Sequence, residues 1–188
     1  MFRLAVLISG RGSNMAAILR RFSVGSDISV SCVLSDCDAP GLETAKSLGV
    51  LTQCVPKGAY DSKRDYEEAV VAILRDQKVD LVVLAGYMCL IGDVLLGAFP
   101  DKIINIHPSL LPSFKGLHPQ QQALDAGVRF SGCTVHYVTK DLDSGPIIDQ
   151  AVVPVYSDDT VSSLSDRILE QEHQLYPDVI DQLSKSKE

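Results

Sequence analysis

Short continuous apolar runs alternate along this chain with stretches in which apolar residues recur every three or four positions. The runs at 4–8, 28–34, 51–55, 79–85 and 103–106 are rich in Val, Ile and Leu. The runs at 4–8, 79–85 and 103–106 read as buried strands, as in parallel sheets, and 28–34 and 51–55 as further strands. The intervening segments 15–22, 40–48, 62–77, 91–98 and 120–126 read as helices. Ser13 or Asn14 is placed to cap the first helix, and Gly49 and Gly127 to stop the second and fifth. Ser62-Lys63-Arg64-Asp65 resembles a capping box with Asp in place of Glu. Tyr66, Ala69, Val70, Ile73 and Leu74 form one apolar stripe on the third helix and are expected to face the core. Two late strands, 131–138 and 147–155, are separated by the loop 139–146, which is too long for a tight turn and acidic enough to be a candidate functional loop. A last helix, capped by Asp159-Thr160, runs to about residue 183 and is expected to kink or break at Pro177. The order β-α-β-α-β-α-β-(α)-β-α-β-β-α predicts an α/β fold: one open, mainly parallel twisted sheet, helices on both faces and one antiparallel strand.

Composition narrows this to a single globular domain over 1–188, long enough for a full core and too short for two comfortable ones. Hydrophobic residues make up 46%, which excludes a disordered chain. The formal net charge is −7 and the basic residues are scattered, which argues against general nucleic-acid binding. A small anion held by a nest of backbone N–H groups stays compatible with that charge. Cys32, Cys37, Cys54, Cys89 and Cys133 include no Cys-x-x-Cys pair and no zinc spacing. The odd, scattered set reads as reduced thiols of a cytoplasmic protein with no metal site. The first apolar run is interrupted at once by Ser9-Gly10-Arg11-Gly12, so it is neither a signal segment nor a spanning helix, and no membrane association is expected. There is no internal repeat, and low complexity is confined to the Ser-Lys-Ser-Lys-Glu tail at 184–188.

Two turns carry candidate chemistry. The first, from Asn105 to Pro119, follows a buried strand, and its prolines forbid regular structure beyond it. The crevice past the carboxyl ends of strands is where α/β sheets bind ligands. Asn105 and His107 are two apart and so share one side of an extended chain. A neutral amide donor beside a titratable donor suits a developing oxyanion. An Asn that caps a turn and a His that satisfies a backbone group would leave the same pattern. The second turn, Gly10-x-Gly12-x-x-Met15, joins the first strand to the first helix, the context in which N–H groups and the helix dipole hold phosphate. The third glycine of a dinucleotide fingerprint is missing, Asp36 stands where a ribose-binding acid could, and a tight turn without a ligand is the alternative.

Together these residues resemble the folate-dependent formyltransferases over nearly the whole chain. The matching segments are Leu7-Ile8-Ser9-Gly10-Arg11-Gly12-Ser13-Asn14, Leu84-Ala85-Gly86-Tyr87-Met88 and Asn105-Ile106-His107-Pro108-Ser109-Leu110-Leu111-Pro112. Gly116-Leu117-His118, Val135-His136-Tyr137-Val138, Asp141-Leu142-Asp143-Ser144-Gly145-Pro146 and Gln171-Glu172-His173 follow. The His-Pro-Ser-Leu-Leu-Pro run with a later Leu-Asp-x-Gly-Pro is the specific signature, and the Ser-Gly-x-Gly-Ser-Asn start selects the glycinamide ribonucleotide branch. The resemblance implies a Rossmann-like formyltransferase fold with a nucleotide phosphate-binding half at about 1–100 and a catalytic, folate-binding half at about 101–188. It implies formyl transfer from 10-formyltetrahydrofolate, as co-substrate, to the amine of glycinamide ribonucleotide in purine synthesis, without a metal.

By that resemblance Asn105, His107 and Asp143 match the catalytic trio. Gly12, Ser13, Asn14, Gly86, Met88, Pro108 and Glu172 match the nucleotide contacts, with Glu172 toward the ribose hydroxyls. Lys63, Arg64, Met88, Cys89, Leu90, Ile91, Asn105, Val138, Asp141 and Asp143 match the folate contacts. The implied partners are these two small molecules, with no nucleic acid and no membrane, on a monomer or weak homodimer. Two positions depart from the family pattern. Cys89 stands where members often carry Arg, and Lys63 stands for the Arg that meets the folate tail, offering charge without a bidentate fork. Methionyl-tRNA formyltransferase-like activity, which uses an additional RNA-binding domain, and a non-catalytic nucleotide-binding domain resting on Gly10, Gly12 and Asp36 are the alternatives.

Overall fold

The computed structural model describes residues 1–23 and 25–186, so the last two residues of the Ser-Lys tail lie outside the described residues. Its elements are β1 (Phe2–Ile8), α1 (Ser13–Arg21), β2 (Ile28–Ser35), α2 (Pro40–Ser47), β3 (Leu51–Cys54), α3 (Lys63–Asp76), β4 (Leu81–Leu84), α4 (Asp93–Ala98), β5 (Ile103–His107), α5 (Pro119–Asp125), β6 (Phe130–Tyr137), β7 (Ile147–Pro154) and α6 (Val161–Lys185). The strands form one sheet in the order β3-β2-β1-β4-β5-β6-β7. Neighbours from β3 to β5 are parallel, and β6 runs against both β5 and β7, as the order of elements predicted.

The central strands, β1 from Leu4 onward and β4, are apolar because both faces are covered. Along β1, Leu4, Val6 and Ile8 join a core with Met15 and Ile18 of α1 and Leu164, Ile168 and Tyr176 of α6. The alternate residues Ala5 and Leu7 join a second core with Tyr66, Val70 and Leu74 of α3 and Leu95 of α4. The chain leaves β1 in one direction for β2 and β3, then returns to the other side of β1 for β4. That reversal opens a crevice past the carboxyl ends of β1 and β4. Ser9 N donates to Gly86 O at 3.1 Å and Met88 N to Ser9 Oγ at 2.8 Å, tying the two loops that leave these strands. Among the described residues no helix is long and apolar enough to cross a membrane.

Three local expectations are corrected. The residue that caps α1 is Gly12, in the left-handed region with φ 71°, and not Ser13 or Asn14, whose side chains are thereby left for other partners. At α3, Ser62 Oγ accepts from Asp65 N at 3.1 Å, but the Asp65 carboxylate takes the Ser62 hydroxyl rather than its N–H, so only half a capping box forms. Pro177 does not break α6, which runs continuously from Val161 to Lys185. A proline costs a helix about 3 kcal/mol or more through one lost hydrogen bond and a steric clash. Here Tyr176, Val179 and Ile180 are buried on either side of it, and their burial offsets that cost.

Tyr176 is wholly buried, and its hydroxyl reaches Leu84 O at 2.9 Å and Ile104 O at 3.1 Å, clipping α6 to β4 and β5. Replacing Tyr176 by Phe strips both carbonyls of that partner. The expected loss is about 1–3 kcal/mol, read as a lower denaturation midpoint at an unchanged slope.

Candidate active site

Asn105 and His107 lie on the last turnless stretch of β5, and the antiparallel register sets His136 of β6 directly opposite Asn105. Asp143 sits in the loop after β6, with φ 47°, and only 8% exposed. Its Oδ2 accepts from Gly116 N at 2.9 Å and lies 3.4 Å from His107 Nδ1, while its Oδ1 lies 3.8 Å from His136 Nε2. The expected trio is therefore brought together, with His136 of β6 as a fourth member.

Hydrogen-bond partners fix the protons on both rings. His136 Nδ1 faces Tyr137 O at 2.9 Å and must donate, so its Nε2 in the neutral ring accepts from Asn105 Nδ2 at 3.3 Å. Burial pushes the His136 pKa down, outweighing the Tyr137 carbonyl and Asp143, and this keeps the ring an acceptor. One Asn105 N–H is thus held by His136, and the other is left for a ligand. His107 Nε2 faces Phe114 O at 2.9 Å and must likewise donate, which leaves Nδ1 facing Asp143.

The loop after β5 is braced from β6 and β7. Fully buried Thr134 donates to Ser109 O at 2.7 Å and accepts from Leu111 N at 3.0 Å. Gln150 Nε2 donates to Leu111 O and to Thr134 Oγ1. These braces are tertiary and carry no signal in the local sequence.

The glycine turn follows β1, two strands from β5 in the sheet. Gly12, Ser13 and Asn14 open α1, whose first N–H groups are free of intrahelical acceptors, so the turn presents donors and the positive end of the helix dipole. Gly41 of α2 packs on this turn. A Cβ there would come 2.6 Å from Ile8 Cδ1 and 2.8 Å from Gly10 O. Asn14 Nδ2 donates to Glu172 Oε2 at 2.7 Å, joining α1 to α6, and Asn14 Oδ1 is buried without a hydrogen-bond partner. A polar group orphaned beside a helix N-terminus fits a site that a polar ligand completes. Tyr176 lies one turn after Glu172 on α6, so the clip to β4 and β5 also sets the height of that carboxylate.

Burial raises the Glu172 pKa, against the lowering effect of Asn14. A raised folded-state value means that the folded protein holds the proton more tightly than the unfolded chain. Glu172 therefore contributes fully below the ordinary value of 4.5 and costs stability as pH rises through the folded value. Glu172→Gln removes this term. Denaturation series from pH 4 upward should show a flatter profile in the variant, about equal to the native one at the acid end.

The matched folate residues divide into two places. Met88 and Leu90 lie on the loop after β4, 69% and 65% exposed, while the nucleotide-matched Gly86 and Pro108 follow β4 and β5. Lys63, Arg64 and Ile91 line an open groove of about 480 Å³ with Glu67, Asp93 and Lys140. Both cations already have acidic neighbours, Lys63 Nζ at 3.8 Å from Glu67 and Arg64 Nε at 2.8 Å from Glu68. Glu67 is a buried carboxylate that the apolar stripe concealed, and it accepts from Gly92 N and Leu95 N to cap α4. Cys89 Sγ donates to Asp36 Oδ2 at 3.1 Å, and burial followed by Asp36 pushes its pKa up to about 11. Asp36 is thus engaged with a thiol rather than placed as a lone ribose acid. Val138 continues the sheet through its N–H to Ile103 O, and Asp141 is exposed. Among the described residues no group of three or more His, Cys, Asp or Glu is arranged to hold a metal ion.

A sequence profile of the formyl transferase family matches residues 2–180. The chain is 43% identical over 186 residues to phosphoribosylglycinamide formyltransferase of Bacillus subtilis, covering 97% of this chain and 95% of that one. It is 40% identical to part of the trifunctional purine biosynthetic protein adenosine-3 of Homo sapiens, covering 93% of this chain and 18% of that protein. The crystal structure of glycinamide ribonucleotide transformylase 1 from Symbiobacterium toebii superposes with a TM-score of 0.93 at 50% identity, covering 96% of this chain and 86% of that one. A profile match across the whole sheet, together with identity of this extent, means that the chain belongs to the formyl transferase family.

Proposed function

We propose that this chain transfers the formyl group of 10-formyltetrahydrofolate to the amine of glycinamide ribonucleotide, releasing tetrahydrofolate, as a step of purine synthesis. The observation that carries the reading is the junction of Asn105, His107 and Asp143 at the crevice beside the α1 N-terminus. The phosphate sits on the N–H groups of Gly12, Ser13 and Asn14, and the ribose hydroxyls meet Glu172. Gly86, Met88 and Pro108 flank the glycinamide. Met88, Cys89, Leu90, Ile91, Val138 and Asp141 surround the folate, with Lys63 or Arg64 toward its glutamate tail. The first hundred residues or so thus hold the nucleotide phosphate and one wall of the folate site, and the rest carry catalysis, the ribose contact and the other wall.

The amine nitrogen attacks the formyl carbon, and the carbonyl π pair moves to oxygen. Asn105 donates its free N–H to that oxyanion while staying neutral. Protonated His107 then gives its Nδ1 proton to N10 as the carbon–N10 bond breaks, N10 keeping the bonding pair. The product nitrogen returns a proton to the imidazole, so proton and charge balance over the cycle. Asp143 faces Nδ1 at 3.4 Å, where it is the counter-charge of the protonated ring. We place the reaction in the cytoplasm, on a monomer or weak homodimer. The five unpaired cysteines support a reducing compartment.

Purified protein, glycinamide ribonucleotide and 10-formyldideazafolate test the reading through release of the deformylated folate. No release with both substrates present would sink it. Lys63→Ala and Arg64→Ala test the tail contact. At least one should raise the folate KM by about two- to tenfold with turnover nearly intact, and the effect should shrink in high salt. Unchanged KM in both variants means that neither cation grips the tail.

A further inference from the structure

His107 is held by a carbonyl that is itself held. Phe114, whose oxygen takes the His107 Nε2 proton, has φ 57°, a conformation that a bulky L residue adopts at a cost of about 1–3 kcal/mol. Something must keep it there. The Ser109 hydroxyl is fully buried and donates to Ser113 O at 2.6 Å, with Phe114 O at 3.4 Å from the same oxygen. Ser109 N donates in turn to His107 O at 2.9 Å. Ser109 therefore spans from the backbone of His107 to the peptide group between Ser113 and Phe114, closing a ring that ends on the His107 side chain.

The geometry points to Ser109 as a positioning residue that, through the Phe114 carbonyl, holds His107 in the Nε2–H form and so makes Nδ1 the nitrogen that meets substrate. The alternative use of the ring, with Nε2 toward the substrate, would take from the half-buried Phe114 carbonyl its 2.9 Å donor and leave it only the Ser109 hydroxyl at 3.4 Å. It would also turn Nδ1 away from Asp143, whose Oδ2 lies 3.4 Å from it. His136 cannot substitute in this role, because its Nδ1 is committed to Tyr137 O and its Nε2 to Asn105. The inference rests on the reading of His107 as the proton donor of formyl transfer, but the position of the proton is observable without turnover.

Ring ¹⁵N correlation spectra of the labelled enzyme, with the four histidines assigned by single His→Gln variants, read it directly. In the neutral ring His107 should carry its proton on Nε2 alone. Ser109→Ala should give a mixture of both tautomers and a turnover lower by about five- to tenfold, as for one neutral hydrogen bond, with both KM values within about twofold. Ser109→Cys, which keeps the volume and a weak donor, should recover part of both. An Nδ1–H ring in the native protein overturns the inference, as does a Ser109→Ala enzyme with native tautomer and native turnover. Should Ser109→Ala not fold, the native spectrum and Ser109→Cys decide it. Absence of formyl transfer in the native enzyme would defeat the parent reading while leaving the tautomer result intact.

Discussion

Asp143→Asn should lower turnover by about 10²–10³ while both KM values move little. Asparagine matches the shape of the carboxylate and can present an oxygen to Gly116 N, so the loop is kept. What is lost is the charge 3.4 Å from His107 Nδ1, the only carboxylate facing that nitrogen among the described ion pairs. The protonated ring is needed as the C–N10 bond breaks, so the deficit belongs to the transition state and not to substrate binding. Steady-state kinetics at saturating concentrations of both substrates give the answer. A turnover within about threefold of native would mean that Asp143 does not serve the proton transfer.

The second large effect is expected on the nucleotide. Gly12→Val should raise the KM for glycinamide ribonucleotide by tenfold or more, to about the level of a site without its phosphate contacts, and leave the folate KM near native. A Cβ on Gly12 would come 2.7 Å from the Met15 Cε, a flexible end that can move. The damage is conformational instead: at φ 71° a β-branched residue is strained, and relief of that strain turns the N–H groups of Ser13 and Asn14 away from the anion. Calorimetry with the ribonucleotide separates this from a rate effect. Unchanged affinity would put the phosphate elsewhere.

The sheet was legible because its central strands, β1 and β4, are buried on both faces. Continuous runs such as Leu4 to Ile8 admit little else, and every expected strand and helix appears within a few residues of its place. Asn105 and His107 were legible because β-alternation alone puts them on one side. His136 was not, because its role depends on the register that pairs it with Asn105 across two strands. Ser109, Thr134 and Gln150 escaped for the same reason: a hydroxyl or amide that braces backbone carbonyls shows no periodicity. Glu67 was hidden inside an apolar stripe, where only the amides of Gly92 and Leu95 reveal why a carboxylate belongs there. No break occurs at Pro177 because the local rule is outweighed by the side chains that anchor α6 on either side of it.

The contact between Cys89 and Asp36 bears on inhibitor chemistry. A cysteine beside a proposed folate site invites an electrophilic warhead on a folate analogue, and covalent capture needs the thiolate. With a pKa of about 11, on the order of one thiol in 10⁴ is ionised at pH 7, and a carboxylate that accepts the S–H repels the anion as it forms. An acrylamide aimed at Cys89 should therefore label slowly, and residence time on this enzyme is better sought through non-covalent contacts with the loop that carries it. The same pairing shields the thiol from peroxide, so oxidative stress should spare this wall of the crevice.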